Sequence, residues 1–183
     1  MEGTNVTESI WNYFLVLEKD LEATTRYVEP HNQDKVYSIE FYKILILAAT
    51  ECESAMKVLC QSICGNEKGN IGEYKETILS KYPGIVNAEV SIPRAQRIIK
   101  PFDKWSASKL DWWDAYGNTK HNHIDCFSTA NYLMAVKALG ALYVLVFYLE
   151  KERREEFSRL DSVYYKSKYT YKCLITEGGQ KLP

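Results

Sequence analysis

The fold is decided by the stretch Ala138-Leu139-Gly140-Ala141-Leu142-Tyr143-Val144-Leu145-Val146-Phe147-Tyr148-Leu149. As a helix it is apolar on every face, and such a helix is covered on all sides by other elements or by lipid. The longest apolar run, residues 133–149, contains Lys137 and is shorter than the ~20 residues that cross a bilayer. We therefore predict the central, most buried helix of a bundle, over residues 128–154, and no membrane contact.

Working outward, two more segments have apolar residues at steps of three and four, which is typical of an amphipathic helix: residues 10–28 and residues 36–64. Shorter helices are expected in three places: residues 72–81, residues 94–100, and a segment that contains Trp112 and Lys120. The predicted fold class is all-α, an up-and-down helical bundle of four to five helices.

A small two-stranded β appendage is predicted as well. Residues 86–92 alternate between apolar and polar, which is typical of a strand. The tail, residues 163–175, interleaves tyrosines with lysines, a composition that favours a strand. We expect these two segments to pair. The chain then divides into a helical bundle, residues 1–160, and a C-terminal tail, residues 161–183.

The composition limits the class of protein. The length of 183 residues suits one domain, and 23 basic against 24 acidic residues exclude a strongly basic, histone-like surface. Five cysteines are an odd number, and the N-terminus has no signal-peptide pattern. Both features favour reduced thiols and a cytoplasmic protein.

The net charge of −1 conceals an uneven distribution. Residues 1–30 hold six acidic and two basic residues, a net of −4. Residues 94–104 and 163–183 each hold four basic residues and one acidic residue, a net of +3. Basic residues next to aromatic ones can follow a phosphate backbone and stack bases, so Arg94 and Arg97 are candidate RNA contacts. The alternative is that these segments form the solvated face of a β ribbon.

The densest polar cluster lies between the tryptophan-rich helix and the apolar helix: Asn118-Thr119-Lys120-His121-Asn122-His123-Ile124-Asp125-Cys126. It contains two of the three histidines, and imidazole is well suited to proton transfer at neutral pH. The alternative interpretation is structural, because a polar junction between helices needs caps and His, Asn and Asp cap well.

No metal site and no cofactor are predicted. His121 and His123 point to opposite sides of a strand, and about 160° apart on a helix. The chain has no Gly-x-Gly-x-x-Gly sequence and no Walker-type loop, which are the phosphate-binding signatures of nucleotide cofactor sites.

Glu51 is the candidate carboxylate on the second helix. It lies about 60° from the centre of the apolar stripe at Ala48, whereas Glu53 points outward. A carboxylate at the edge of the core needs a partner, and three side chains could supply it: Lys120, His121 or His123. Glu51 then either fixes the packing of helices by a salt bridge or orients a catalytic histidine.

The motif Trp113-x-x-Tyr116-x-x-x-Lys120-His121, followed by Phe127 and the apolar helix, resembles the HEPN superfamily. It is similar to a branch of prokaryotic HEPN-like proteins, and residues 48–57 look like the helix that packs against the motif in that family. The resemblance covers about half of the chain.

The resemblance implies a helical bundle that forms a homodimer, so that two copies of the motif face each other. Many HEPN proteins are metal-independent endoribonucleases, including toxins with an antitoxin-like protein partner and phage-defence components. Their signature is an arginine shortly before the histidine. Here His121 matches the histidine, while the expected positions of the arginine hold other residues: Ala115, Tyr116 and Gly117.

The resemblance also suggests roles for the junction. In an endoribonuclease His121 would be the acid and base, Lys120 and His123 the phosphate contacts, and Glu51 the residue that orients the histidine. Contacts to RNA or a nucleotide would come from four neighbouring side chains: Trp113, Tyr116, Asn118 and Asn122. The alternative is a non-catalytic HEPN-like module that binds a nucleotide, an RNA or a protein partner.

Overall fold

Six α-helices form most of the chain in this computed structural model, which describes residues 6–66, 68–157, 172–174, 176–177 and 180–181. They are, in chain order, α1 (Val6–Thr24), α2 (Ile39–Cys64), α3 (Ile71–Lys81), α4 (Asp111–His121), α5 (His123–Cys126) and α6 (Tyr132–Phe157). The predicted all-α helical bundle is confirmed.

Helix α6 is the central element, as its apolar sequence predicted. Every side chain from residue 138 to residue 146 is buried. The helix begins at Tyr132 rather than near residue 128, because residues 127–129 form a short 3-10 turn and Asn131 then accepts a hydrogen bond from the Met134 N–H at 3.2 Å. An asparagine in this place satisfies one of the free N–H groups of a helix N-terminus.

By length and composition, α6 contains a segment that can cross a membrane, Tyr132–Arg153. The mean hydropathy of its most apolar 18-residue window is 1.9, and 78% of that window is buried inside the structure. This segment is longer than the apolar run of residues 133–149 on which the sequence argument rested. This degree of burial is typical of a helix that is covered by other helices.

The bundle is organised around the packing of α2 on α6. The two helices begin side by side, because Tyr37 and Asn131 form a β-bridge just before them and the Phe41 and Tyr132 rings are 5.5 Å apart. Further along, the Cys52 thiol donates to the Ala138 carbonyl at 3.5 Å. Helix α1 covers this pair, and its Phe14 ring stacks on the Tyr143 ring of α6 at 5.1 Å.

Both ends of α2 are capped. The Ser38 hydroxyl accepts from the Phe41 N–H at 3.2 Å, so the helix begins at Ile39 rather than at the predicted residue 36. At the other end Gly65 has φ 70°, and its N–H donates to the Gln61 carbonyl at 2.8 Å. Glycine adopts this left-handed conformation without the steric cost that a Cβ adds.

Alanine at Gly65 and alanine at Gly117 are expected to change stability in opposite directions. A Cβ at either position meets no atom within 4 Å, so only the backbone conformation differs. Gly65→Ala should cost about 1 kcal/mol because of its positive φ, and Gly117→Ala should stabilise α4 by roughly 0.5–1 kcal/mol. Urea unfolding of both variants tests this, and a stabilising Gly65→Ala would contradict the cap.

The β appendage is a small antiparallel sheet. Strand β1 (Glu89–Ile92) pairs with β2 (Arg97–Ile99) and with β3 (Lys172–Leu174), with Val90 opposite Ile99 and Cys173. Two further strands, β4 (Thr176–Glu177) and β5 (Gln180–Lys181), form a separate hairpin. The small β appendage that the sequence predicted is thus present in the structure.

The helix predicted at residues 94–100 is wrong. A 3-10 turn, Pro93–Ala95, is followed by Gln96 with φ 51° and then by β2, so the segment is the second half of a β-hairpin. A residue in the left-handed region reverses the chain here, although no Gly or Asn marks the turn. The predicted domain boundary at residues 160 and 161 lies outside the described residues, and so do all four tail tyrosines.

Candidate functional site

A series of aromatic rings runs from the core to Tyr116 in the middle of α4. Trp112 is fully buried, and its indole N–H donates to the Pro101 carbonyl at 2.8 Å. Its ring centroid lies 6.4 Å from that of Phe102 and 5.6 Å from that of Trp113. The Trp113 ring in turn meets the Tyr116 ring at 5.3 Å. The series therefore fixes Tyr116 from the core side.

Tyr116 holds the Lys120 side chain. The Lys120 ammonium donates to the Tyr116 hydroxyl at 3.1 Å and lies 5.2 Å from the centre of that ring. This hydrogen bond is the main reason that the pKa of Lys120 is raised, with a smaller contribution from the negative charge of Glu53. Lys120 is exposed and stays charged. It is therefore a positioned cation at the protein surface.

The residues around Lys120 offer exposed polar groups. Asn118, His121 and Asn122 are all exposed, and the Asn122 N–H closes the last turn of α4 by donating to the Asn118 carbonyl at 2.8 Å. The Asn122 amide also donates to Asp125 at 2.9 Å. Among the described residues, the His121 side chain has no hydrogen-bond or ion-pair partner. Lys120 and His121 lie in the last turn of α4, where the negative end of the helix dipole favours cations.

We name this surface the α4 junction: Trp113, Tyr116, Asn118, Lys120, His121 and Asn122. All six are residues that the sequence singled out, and they lie along α4 from Trp113 in its first turn to Asn122 just after its last residue. His123 follows at the first position of α5, and its side chain lies outside the described part of the chain.

Among the described residues, Glu51 forms no hydrogen bond or ion pair with the α4 junction. It is half-buried on α2, its burial raises the pKa of its carboxyl group, and it has no hydrogen-bond or ion-pair partner among the described residues. The α2 carboxylate that acts on Lys120 is instead that of Glu53, which pairs with Lys57 at 3.2 Å. Glu53, predicted from the sequence to point outward, has a side chain that is 28% exposed. Burial is the main cause of the raised pKa of Tyr74, and the charge of Glu53 adds to it.

Arg94 and Arg97 each have a carboxylate partner. Arg94 meets Glu22 of α1 at 3.1 Å, and Arg97 holds Asp34 by two hydrogen bonds, one of them 3.2 Å long. These pairs tie the β-hairpin to α1 and to the loop before α2. A guanidinium that is already paired with a carboxylate has less charge to offer a phosphate.

Among the residues that the structure describes, the cysteines and acidic side chains form no recognised reactive group. The four cysteines whose side chains are described are free, and burial raises the pKa of the Cys60 thiol to about 11. A thiol with a raised pKa is a poor nucleophile at neutral pH. Across the described ranges, no cluster of three or more His, Cys, Asp or Glu side chains is placed to hold a metal ion.

The loop between α1 and α2, which the sequence analysis did not identify as a site, lies against the start of α6. The Tyr132 N–H donates to the Val36 carbonyl at 2.8 Å, and the Leu133 N–H donates to the Asp34 carbonyl at 3.2 Å. The Tyr37 ring meets Phe127 edge-on at 5.8 Å. Phe127 directly follows α5, so this contact links the loop to the segment next to the α4 junction.

Comparison with protein-family models, with curated proteins and with solved structures finds no match for this chain. The class of protein is therefore defined by fold and site alone. It is a helical bundle with a small β appendage and an exposed, polar α4 junction supported by buried aromatic rings.

Glu51→Gln is expected to stabilise the protein at neutral pH and not at pH 4. Because burial raises the pKa of this carboxyl group, the folded state binds its proton more tightly than the unfolded state does. Stability therefore falls as the pH rises from the unfolded pKa through the folded one. The glutamine removes this loss. Thermal unfolding at both pH values checks it, and an equal shift at both would contradict a titrating Glu51.

Proposed function

We propose that this protein is a HEPN-like module that binds single-stranded RNA or a nucleotide at the α4 junction. The observation that carries the proposal is the position of Lys120. Its ammonium is held by Tyr116, is exposed, and has no carboxylate within ion-pair distance among the described residues. A fixed cation beside exposed amide and imidazole groups has the donors that contact phosphate oxygens in protein–nucleic acid complexes.

Binding without catalysis fits the arrangement within one chain. The resemblance assigns the orienting role to Glu51, yet Glu51 and His121 share no hydrogen bond or ion pair. The two arginines in the basic segment pair with carboxylates. Lys120 is also a point charge and does not grip a phosphate in two places as an arginine does. These features support affinity for a phosphate group more than they support its cleavage.

The second candidate function is a metal-independent endoribonuclease of a toxin or phage-defence type. One observation favours it: the His121 side chain is exposed and has no partner among the described residues, so it can exchange protons with a bound ligand. In this proposal His121 is the acid and base, with Lys120 beside the phosphate. A homodimer brings a second copy of the junction to the same RNA.

The test is one experiment with two measurements, in buffer that contains EDTA. Fluorescence anisotropy measures the affinity for a labelled oligouridine, and gel electrophoresis measures cleavage of a longer single-stranded RNA. We expect an affinity that weakens as salt is added, and intact RNA with both the wild-type protein and His121→Ala.

The other outcomes separate the remaining functions. Cleavage by the wild-type protein that His121→Ala abolishes would replace the binding module with the endoribonuclease. The absence of both affinity and cleavage would overturn both proposals and leave a protein partner, such as an antitoxin-like protein, as the ligand of the junction. Lys109→Ala is a matched control, since Lys109 is exposed next to the opposite end of the same helix.

A further inference from the structure

We propose that Tyr37 is a stacking platform for one base of a single-stranded RNA whose phosphates contact the α4 junction. This inference rests on the proposed function and names a binding residue that lies outside the junction. The platform belongs to the α1–α2 loop, residues 25–38, and four kinds of observation support it.

Tyr37 is an exposed aromatic ring in a fixed orientation. Tyr37 is 54% exposed, and its ring plane stands at 87° to that of Phe127 with the centroids 5.8 Å apart. An edge-to-face contact of this kind is a favourable aromatic geometry. The contact fixes the tilt of the Tyr37 ring and leaves more than half of the residue in water, where a base can stack.

The backbone under Tyr37 is also fixed. Tyr37 forms a β-bridge with Asn131, and the preceding carbonyl, that of Val36, accepts a hydrogen bond from the first residue of α6. Arg97 holds the side chain of Asp34 from the β-hairpin. Because the platform is ordered before the ligand arrives, binding costs less conformational entropy than it would in a mobile loop.

The loop has polar side chains that can contact a nucleotide. An open groove of about 660 Å³ lies along it, lined by Asn32, Gln33, Asp34, Lys35, Val36 and Tyr37. Lys35 is exposed two residues from Tyr37, and the acidic Asp34 is paired with Arg97. A cation next to an exposed ring is the combination that binds single strands without sequence preference.

The platform is close to the α4 junction. Phe127, which supports Tyr37, comes six residues after His121, and the single turn of α5 lies between them. The 3-10 turn that begins at Phe127 also packs against α4, the helix that carries the junction. One short RNA can therefore reach both.

The test compares two oligomers of about ten nucleotides, a length typical of single-strand binding sites. One is oligouridine, and the other has the same phosphates with abasic sugars. We expect the wild-type protein to bind oligouridine at least about fivefold more tightly than the abasic oligomer, because stacking on one aromatic ring has this order of effect. Tyr37→Ala should lose that difference and keep its affinity for the abasic oligomer.

Two variants complete the design. Tyr37→Phe keeps the ring and should retain the preference for oligouridine. Tyr27→Ala is the matched control, because Tyr27 is 89% exposed in the same loop and should have no effect on either oligomer.

The contradicting outcomes are distinct. Unchanged oligouridine affinity in Tyr37→Ala, together with weaker binding by Lys120→Ala, would overturn the platform and leave the α4 junction in place. An equal loss for both oligomers in Tyr37→Ala would mean that the variant disturbs the loop, and stacking is then rejected. If neither oligomer binds the wild-type protein, both proposals fail, and the exposed Tyr37 ring then belongs to a surface for a protein partner.

Discussion

Trp112→Ala is expected to lower the free energy of unfolding by about 3–5 kcal/mol, the range measured when large buried aromatic residues are truncated. Trp112 is fully buried between Phe102 and Trp113, and its indole N–H is bonded to the Pro101 carbonyl. The alanine leaves a cavity next to the helix that carries the α4 junction. Urea unfolding followed by circular dichroism measures the change.

Trp112→Phe is the matched control. It keeps an aromatic ring and removes the indole donor, so the Pro101 carbonyl loses its partner at a cost of about 1–3 kcal/mol. We expect its stability to fall between those of the wild-type protein and Trp112→Ala. A loss below ~1 kcal/mol in Trp112→Ala would mean that the series of rings does not support α4.

The second large effect is expected in the double variant Lys120→Ala, His121→Ala. Hydrogen bonds to charged groups contribute about 1.5–3 kcal/mol, so losing two phosphate contacts should weaken oligouridine affinity at least about tenfold. Both side chains are exposed, and the thermal stability of the double variant should stay within ~0.5 kcal/mol of the wild-type protein.

Lys109→Ala separates a specific contact from a general loss of positive charge. Lys109 is 83% exposed in its side chain and makes one long ion pair, 3.9 Å from Asp114. Its removal lowers the net charge by one unit and should leave the affinity nearly unchanged. Equal losses in Lys109→Ala and in the double variant would show that the α4 junction is not the contact surface.

The central helix could be predicted because its sequence is apolar on every face and its apolar run is shorter than a bilayer span. A helix that is apolar on all faces over residues 138–149 must be surrounded, and α6 is. The end of α2 could be predicted for a similar local reason, since Gly65 supplies the left-handed residue that closes a helix. The polar junction followed from the density of polar residues between two apolar helices.

Other features depend on contacts between distant residues. Segment 94–100 has a composition that suits a helix, but its pairing with β1 decides its structure. The apolar stripe of α2 is wide because four helices (α1, α3, α4 and α6) pack on it, so the stripe alone does not tell which flank faces α4. This is why Glu53, and not Glu51, is the α2 carboxylate whose charge acts on Lys120. The pairing of Arg97 with Asp34 joins residues 63 positions apart.

The salt dependence of RNA binding tests the central claim, that Lys120 contacts a phosphate, most directly. For single strands the logarithm of the binding constant falls against the logarithm of the salt concentration with a slope of about −0.7 per neutralised phosphate. We predict that Lys120→Ala makes this slope shallower by about 0.7 relative to the wild-type protein, while Lys109→Ala leaves it unchanged. Equal slopes for the wild-type protein and Lys120→Ala, or a wild-type affinity that does not depend on salt, would contradict the claim.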